Sequence, residues 1–137
     1  MAEHNFVGKI GENLARQYLE KNGYEIIEQN YKTKYAEIDL VAKKSAGFLS
    51  RLAGSRCGGK TLVFVEVRTK IGENFGSPED TLNKSKLHKV LKNALAYSVF
   101  KKWQGHSRID AICIVLKPDC TVSRLTHHEN IVTSVTS

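Results

Sequence analysis

Thr61-Leu62-Val63-Phe64-Val65-Glu66-Val67-Arg68-Thr69-Lys70 opens as an apolar run and closes with a charge at every second position. Leu62 to Val67 is β-branched and aromatic enough to form a strand buried on both faces, the kind found inside a sheet covered by helices. A carboxylate in such a strand is costly unless it is paired or bound to a metal. Alternation puts Glu66, Arg68 and Lys70 on one face and Val65 and Val67 on the other. A second strand, Ala36-Glu37-Ile38-Asp39-Leu40-Val41-Ala42, carries Asp39 in the same awkward way. If Asp39 points toward Glu66 from a neighbouring strand, two hard oxygen ligands converge beside cations suited to phosphate.

The rest of the chain alternates helix and strand. Val7, Ile10, Leu14 and Tyr18 mark one apolar helix face from about Phe6 to Asn22, and Gly23 supplies the stop. Tyr24 to Tyr31 reads as a strand, followed by the strand bearing Asp39. Lys43 to Lys60 is rich in Gly, Ser, Lys and Arg and predicts a flexible loop over about 44–60, long for a compact domain. Ile71 to Gly76 is a loop. Ser77-Pro78-Glu79-Asp80 looks like a helix start, with Ser as cap, Pro in the first turn and acids near the positive dipole end. A longer helix is predicted from about Asn83 to Lys102, apolar at Leu87, Val90, Leu91, Ala94, Leu95, Ser98 and Val99 and basic on its other face. Arg108 to Leu116 is a buried strand, Cys120 to Leu125 an edge strand, and the tail from about 128 has no periodicity. The order α-β-β-β-α-β-β predicts an α/β fold, one mixed sheet flanked by helices in a single domain over 1–137.

Composition narrows the class. At 137 residues the chain can bury roughly two-thirds of its unfolded surface. No apolar run approaches the roughly 20 residues that span a bilayer, and Met1 to Asn5 has no signal-peptide pattern. The expectation is a cytoplasmic protein with no membrane partner. Cys57, Cys113 and Cys120 form no C-x-x-C pair, and adjacent His127 and His128 face opposite ways on a strand, which supports neither a disulfide framework nor a structural zinc site. The formal net charge of +7 is unevenly spread. From Leu40 to Val65 there is no acidic residue, while Lys43, Lys44, Arg51, Arg56 and Lys60 fall inside. From Thr81 to Ile109 there is again none, against Lys84, Lys86, Lys89, Lys92, Lys101, Lys102 and Arg108. Such segments attract polyanions, nucleic acid above all, where the plain alternative is a solvated face.

Gly54-Ser55-Arg56-Cys57-Gly58-Gly59-Lys60-Thr61 satisfies G-x-x-x-x-G-K-[ST]. A phosphate-binding loop of that kind needs a strand before it and a helix beginning at its Lys-Thr. Here a strand follows, and the match is set aside. The carboxylates carry more. Mg²⁺ prefers a few carboxylates, retained waters and substrate phosphate oxygens. Glu37, two residues before Asp39, is a substitute ligand. Glu12 flanks the apolar stripe of the first helix, where Gly8 and Gly11 would let that helix approach the sheet. Against this stands the reading of Glu12 as an ordinary helix acid and of Asp39 and Glu66 as strand-end acids paired with Arg68 and Lys70.

Gly11-Glu12-Asn13-Leu14-Ala15, Ala36 to Ala42 and Val63 to Arg68, with Phe75-Gly76-Ser77 and Arg108-Ile109-Asp110, together resemble the bacterial YraN-type family. That family is similar to Holliday-junction-resolvase-like nucleases of the restriction-endonuclease-like PD-(D/E)-x-K superfamily. The resemblance spans about Gly8 to Leu116. It implies a Mg²⁺- or Mn²⁺-dependent endonuclease acting on DNA, including branched or junction DNA, and a homodimer. It implies Asp39 and Glu66 as metal ligands, Glu12 as a further ligand, and Arg68 where the nuclease signature has lysine. Arginine is permanently charged and cannot act as a base. Lys70 on the same face could supply the ammonium. Lys70, Lys43, Lys44, Arg51, Arg56, Lys84, Lys86 and Lys89 are the candidate nucleic-acid contacts, and Asp110 is a buried partner for a basic side chain. A second reading keeps the fold without turnover, as a nucleic-acid-binding or adaptor protein. Arg68 favours that reading and the retained carboxylates oppose it.

Overall fold

The computed structural model describes residues 2–34, 37–45 and 59–132. Ala36, Arg51, Arg56, Cys57 and most of the glycine-rich connection lie outside the described residues. The elements are α1 (Ala2–Lys21), β1 (Tyr24–Lys32), β2 (Glu37–Ser45), β3 (Lys60–Ile71), a 3-10 helix (Pro78–Thr81), α2 (Lys84–Phe100), β4 (Ser107–Leu116) and β5 (Val122–His128). The five strands form one mixed sheet in the order β1-β2-β3-β4-β5, flanked by helices, in the α-β-β-β-α-β-β order that the sequence predicts.

All neighbours are antiparallel except β3 and β4, which run parallel from Leu62 opposite Ser107 to Ile71 opposite Leu116. A parallel pair needs a crossover connection, and α2 provides it. The residues of β3 then divide between two cores. Val63 and Val65 pack with Leu40, Ile112, Ile114 and the α1 residues Ala15 and Leu19. Leu62 and Phe64 pack with Val41, Ile109 and the α2 residues Leu87, Val90, Ala94 and Tyr97. Burial of both faces explains why the β3 and β4 sequences read as continuous apolar runs.

Several boundaries differ from the sequence reading. Asn83 caps α2, its Oδ1 accepting the Lys86 N–H at 2.9 Å. The buried stripe of α2 passes through Asn93 and Tyr97, leaving Leu95 and Val99 exposed. Tyr97 wins its place because its ring meets Tyr31 and Phe64 edge-on, with centroids 4.9 and 5.6 Å apart. The last strand starts later and runs longer than its apolar pattern suggests. Cys120 sits at φ 68 in a turn, and β5 continues to His128. The chain beyond it folds back, with Ile131 N–H bonded to Ile109 O at 2.8 Å and Val132 buried against the α2 core. Lys60 and Thr61 open β3, so a strand follows the glycine-rich match.

Gly11 sets how closely α1 lies on the sheet. A Cβ there would stand 1.8 Å from Thr69 Oγ1, so only glycine admits this approach. Gly8, which the sequence suggests for the same job, has nothing within 4 Å of its would-be Cβ. It leaves open space beside Glu12 instead.

Candidate metal centre

The β2–β3 ladder stops at Leu40 opposite Val65, while β2 remains paired with β1 through Glu37. Ile38 and Leu40, two residues apart, belong to opposite cores, so strict alternation breaks at Asp39. At that break Asp39 Oδ2 accepts the Val67 N–H at 2.8 Å. The side chain supplies the partner that a continuing strand would have given that backbone donor. Next to the break, α1, β3 and the 3-10 helix enclose a cleft of about 190 Å³, lined among others by Gly8, Glu12, Val67, Arg68 and Lys70.

Carboxylates crowd this break. Oxygens of Glu12, Glu37 and Asp39 all lie within 4.8 Å of one another, an arrangement able to hold a metal ion. Burial pushes the Asp39 carboxyl up to about 8, and the charges of Glu66, Glu12 and Glu37 add to it against the Val67 hydrogen bond. Burial likewise raises Glu12, opposed by a hydrogen bond from Asn30 and reinforced by Glu37. Like-charged groups held this close favour whatever cation relieves them.

Glu66 stands beside this group. It is 3% exposed, and burial raises its pKa against the nearby charges of Lys86 and Arg68. Its Oε1 lies 3.4 Å from Lys86 Nζ and 3.6 Å from Arg68 Nε. Its Oε2 is buried with no hydrogen-bond partner among the described residues. An orphaned buried carboxylate oxygen calls for an explanation, and an ion is one of the standard ones. The donor set of hard carboxylate oxygens fits Mg²⁺ or Mn²⁺. Of the residues expected at the metal, Glu12 and Asp39 therefore meet directly. Glu37, the expected substitute, joins them, and Glu66 approaches from β3.

Lys86 is the residue whose role the sequence reading missed. The sequence pattern puts it on the outer basic face of α2 and offers Lys70 as the ammonium near the carboxylates. The first turn of α2 brings Lys86 to Glu66 instead. Nothing in the local pattern marks it, because 20 residues separate the two in sequence. Lys70 lines the cleft further along β3. Lys84 and Lys89 are exposed on α2. Lys43 and Lys44 lie on the part of β2 that pairs with β3 before the break. Lys43 Nζ stands 5.5 Å from the Trp103 ring centroid, and Lys44 Nζ stands 4.4 Å from that of Tyr24 while donating to Asn22 O.

Two other acidic groups are already neutralised by cations. Asp110, fully buried, takes Arg108 Nε at 3.0 Å, His127 Nε2 at 2.7 Å and the Asn130 N–H at 3.0 Å. Burial alone would raise its pKa, but these bonds hold it below the usual carboxylate range. This is the buried basic pairing expected for Asp110. Glu79 takes Arg124 on both oxygens, at 2.8 and 3.0 Å, and His128 at 2.9 Å. His127 and His128 thus serve different partners on opposite faces, as their adjacency predicts. Cys113 is buried next to Glu79, and burial pushes its thiol up to about 12.

A family profile described as "Uncharacterised protein family UPF0102" matches residues 11–114 of the chain, a span that includes Glu12, Glu37, Asp39, Glu66 and Lys86. A UPF0102 protein of Caldanaerobacter subterraneus subsp. tengcongensis is 38% identical over 125 residues, covering 88% of this chain and 89% of its own. One from Syntrophus aciditrophicus is 32% identical over 120 residues, covering 87% and 84%. One from Flavobacterium johnsoniae is 38% identical over 102 residues, covering 74% and 72%. No helix among the described residues is long and apolar enough to cross a membrane.

Proposed function

The chain belongs to the uncharacterised protein family UPF0102, the YraN-type family, and from that premise we propose that it is a metal-dependent endonuclease hydrolysing phosphodiester bonds in DNA. The observation that carries the reading is the carboxylate cluster at the β2–β3 break: Glu12, Glu37 and Asp39 within 4.8 Å, with the buried Glu66 beside them. Structural acids are normally paired or solvated, as Asp110 and Glu79 are here. Glu12, Glu37 and Asp39 instead crowd together beside Glu66, and a bound cation would relieve their repulsion.

Asp39, Glu12 and Glu37, with Glu66, would hold Mg²⁺ or Mn²⁺. Such an ion supplies positive charge to the attacked phosphate and acidifies a water. The chain's own groups do the rest. Lys86 and Arg68 place an ammonium and a guanidinium at the Glu66 carboxylate, where negative charge on a phosphate would develop. Lys86 would bring from α2 the ammonium that position 68 lacks. Lys70 at the cleft, with Lys84 and Lys89 on the α2 surface, would hold flanking phosphates.

Incubation of the purified protein with Mn²⁺ or Mg²⁺ and linear, flapped and four-way DNA tests the reading. Cleavage is expected that disappears in Asp39→Ala and Glu66→Ala. No cleavage of any substrate at enzyme excess, with salt-dependent DNA binding indifferent to metal, would sink it in favour of a non-catalytic binding protein.

A further inference from the structure

Phe75 is 98% exposed, on a loop that is held at both ends. Gly72 and Gly76 adopt φ of 69° and 106°, a left-handed conformation that favours glycine. Gly72 N–H bonds Leu116 O at 2.9 Å, Glu73 pairs with Arg124 at 2.8 Å, and Ser77 N–H bonds Asp80 Oδ2 at 3.0 Å. A Cβ on Gly76 would meet Asp80 Oδ2 at 3.0 Å, so the loop is also tightly packed below its tip. Burial would take this ring out of water, and the braced loop forgoes that gain.

The place where the ring projects gives the reason. Phe75 borders a cavity of about 360 Å³, a wall of which is made by Val7, Thr69 and Lys70. The same Val7, Thr69 and Lys70 line the cleft that holds Glu12, so the apolar cavity and that cleft adjoin. Lys70 Nζ lies 3.7 Å from the would-be Gly76 Cβ, which sets a cation directly beneath the loop carrying the ring. An aromatic face, an adjoining apolar cavity and an ammonium side by side match the three parts of a nucleotide chain: a flat base, a sugar and a phosphate.

We infer that Phe75 is a stacking platform for a base of a single-stranded or unpaired segment whose backbone passes Lys70 into the cleft at Glu12. The inference rests on the nucleic-acid part of the proposed function and needs no metal. Base-on-aromatic stacking works on any base, so the platform selects unstacked nucleotides rather than a sequence. It would favour flaps, gaps and the openings of branched DNA over continuous duplex.

Fluorescence anisotropy in EDTA, with labelled oligothymidylate and an all-abasic oligomer of the same length, tests this without cleavage. Phe75→Ala should weaken oligothymidylate binding about tenfold and leave the abasic oligomer unchanged. Phe75→Trp should keep the affinity, and its added fluorescence, taken as the difference from the parent, should be quenched by oligothymidylate alone. An unchanged thermal midpoint is expected for both variants, since the side chain touches so little. Equal losses on both oligomers, or none, overturn the platform while leaving the nuclease reading intact. A parent dimer that Phe75→Ala splits, at unchanged oligothymidylate affinity, overturns it in favour of an interface between copies. Binding of neither oligomer by the parent chain at low salt overturns the nucleic-acid reading itself.

Discussion

Asp39 accepts the backbone N–H of Val67 at 2.8 Å at the point where β2 and β3 part. That one bond holds the carboxylate in place and satisfies a donor the strand break would otherwise leave open. It also ties Asp39 to the residue next to Glu66, so the same break brings the two acids together. Structure and candidate chemistry share a side chain here, and substitutions can separate them.

Asp39→Asn keeps an oxygen for the Val67 N–H and cannot ionise. Above about pH 8, where Asp39 of the parent is ionised, the metal-free variant should melt at or above the temperature of the parent, because like-charge crowding is relieved. The parent should gain thermal stability with added MnCl₂ through binding to the folded state, and the variant should gain little. A full metal-dependent shift in Asp39→Asn would remove Asp39 from the ligand set.

Lys86→Ala should lower the cleavage rate by about 10²–10³-fold, the scale of losing one preorganised charge at a reacting centre. Binding measured without metal should change by far less, since one lysine among the many on this surface is lost. Single-turnover kinetics and anisotropy together read the two effects. A variant that loses binding and rate in equal measure would make Lys86 an ordinary phosphate contact.

Gly11→Ala should cost about 1–3 kcal/mol, as overpacking in a rigid contact does. The added Cβ meets Thr69 Oγ1 at 1.8 Å and Thr69 Cβ at 2.8 Å, so α1 must lift from β3. Because the obstacle is the Thr69 side chain, Thr69→Gly in the same protein should restore part of the loss. Urea denaturation of the two single variants and the double variant gives the coupling. Strict additivity would mean that the helix yields rather than the contact.

Glu79 gives the acid side of the stability curve a defined contributor. Hydrogen bonds from Arg124 outweigh burial and, with His128, hold its carboxyl at about 2 against an ordinary 4.5. A carboxylate depressed in the folded state stabilises above its unfolded pKa, and that stability is lost as pH falls through the folded value. The difference in stability between the parent and Glu79→Gln should therefore be largest near neutrality and shrink from about pH 4.5 to about pH 2. Denaturation midpoints across that range check it. A difference independent of pH would mean that Glu79 contributes by packing alone.

The apolar runs by themselves determined the strands β3 and β4, their burial on both faces and the helix between them. Periodicity in β3 is a local property, and a strand covered on both sides has few other ways to remove its side chains from water. The acids were legible too, since Asp39 and Glu66 interrupt apolar strands. Tertiary structure alone decided how they combine. Where β2 leaves β3, how Glu37 joins Glu12 and Asp39, and that Lys86 reaches Glu66 all depend on contacts between distant segments. So do the rotated stripe of α2, drawn round by the rings of Tyr31 and Phe64, and the return of Ile131 and Val132 to the core. Sequence pattern reports what each segment would bury. Which charge meets which is settled only when the sheet sets their separations, because Coulomb and ligand interactions act over ångströms in space and ignore spacing along the chain.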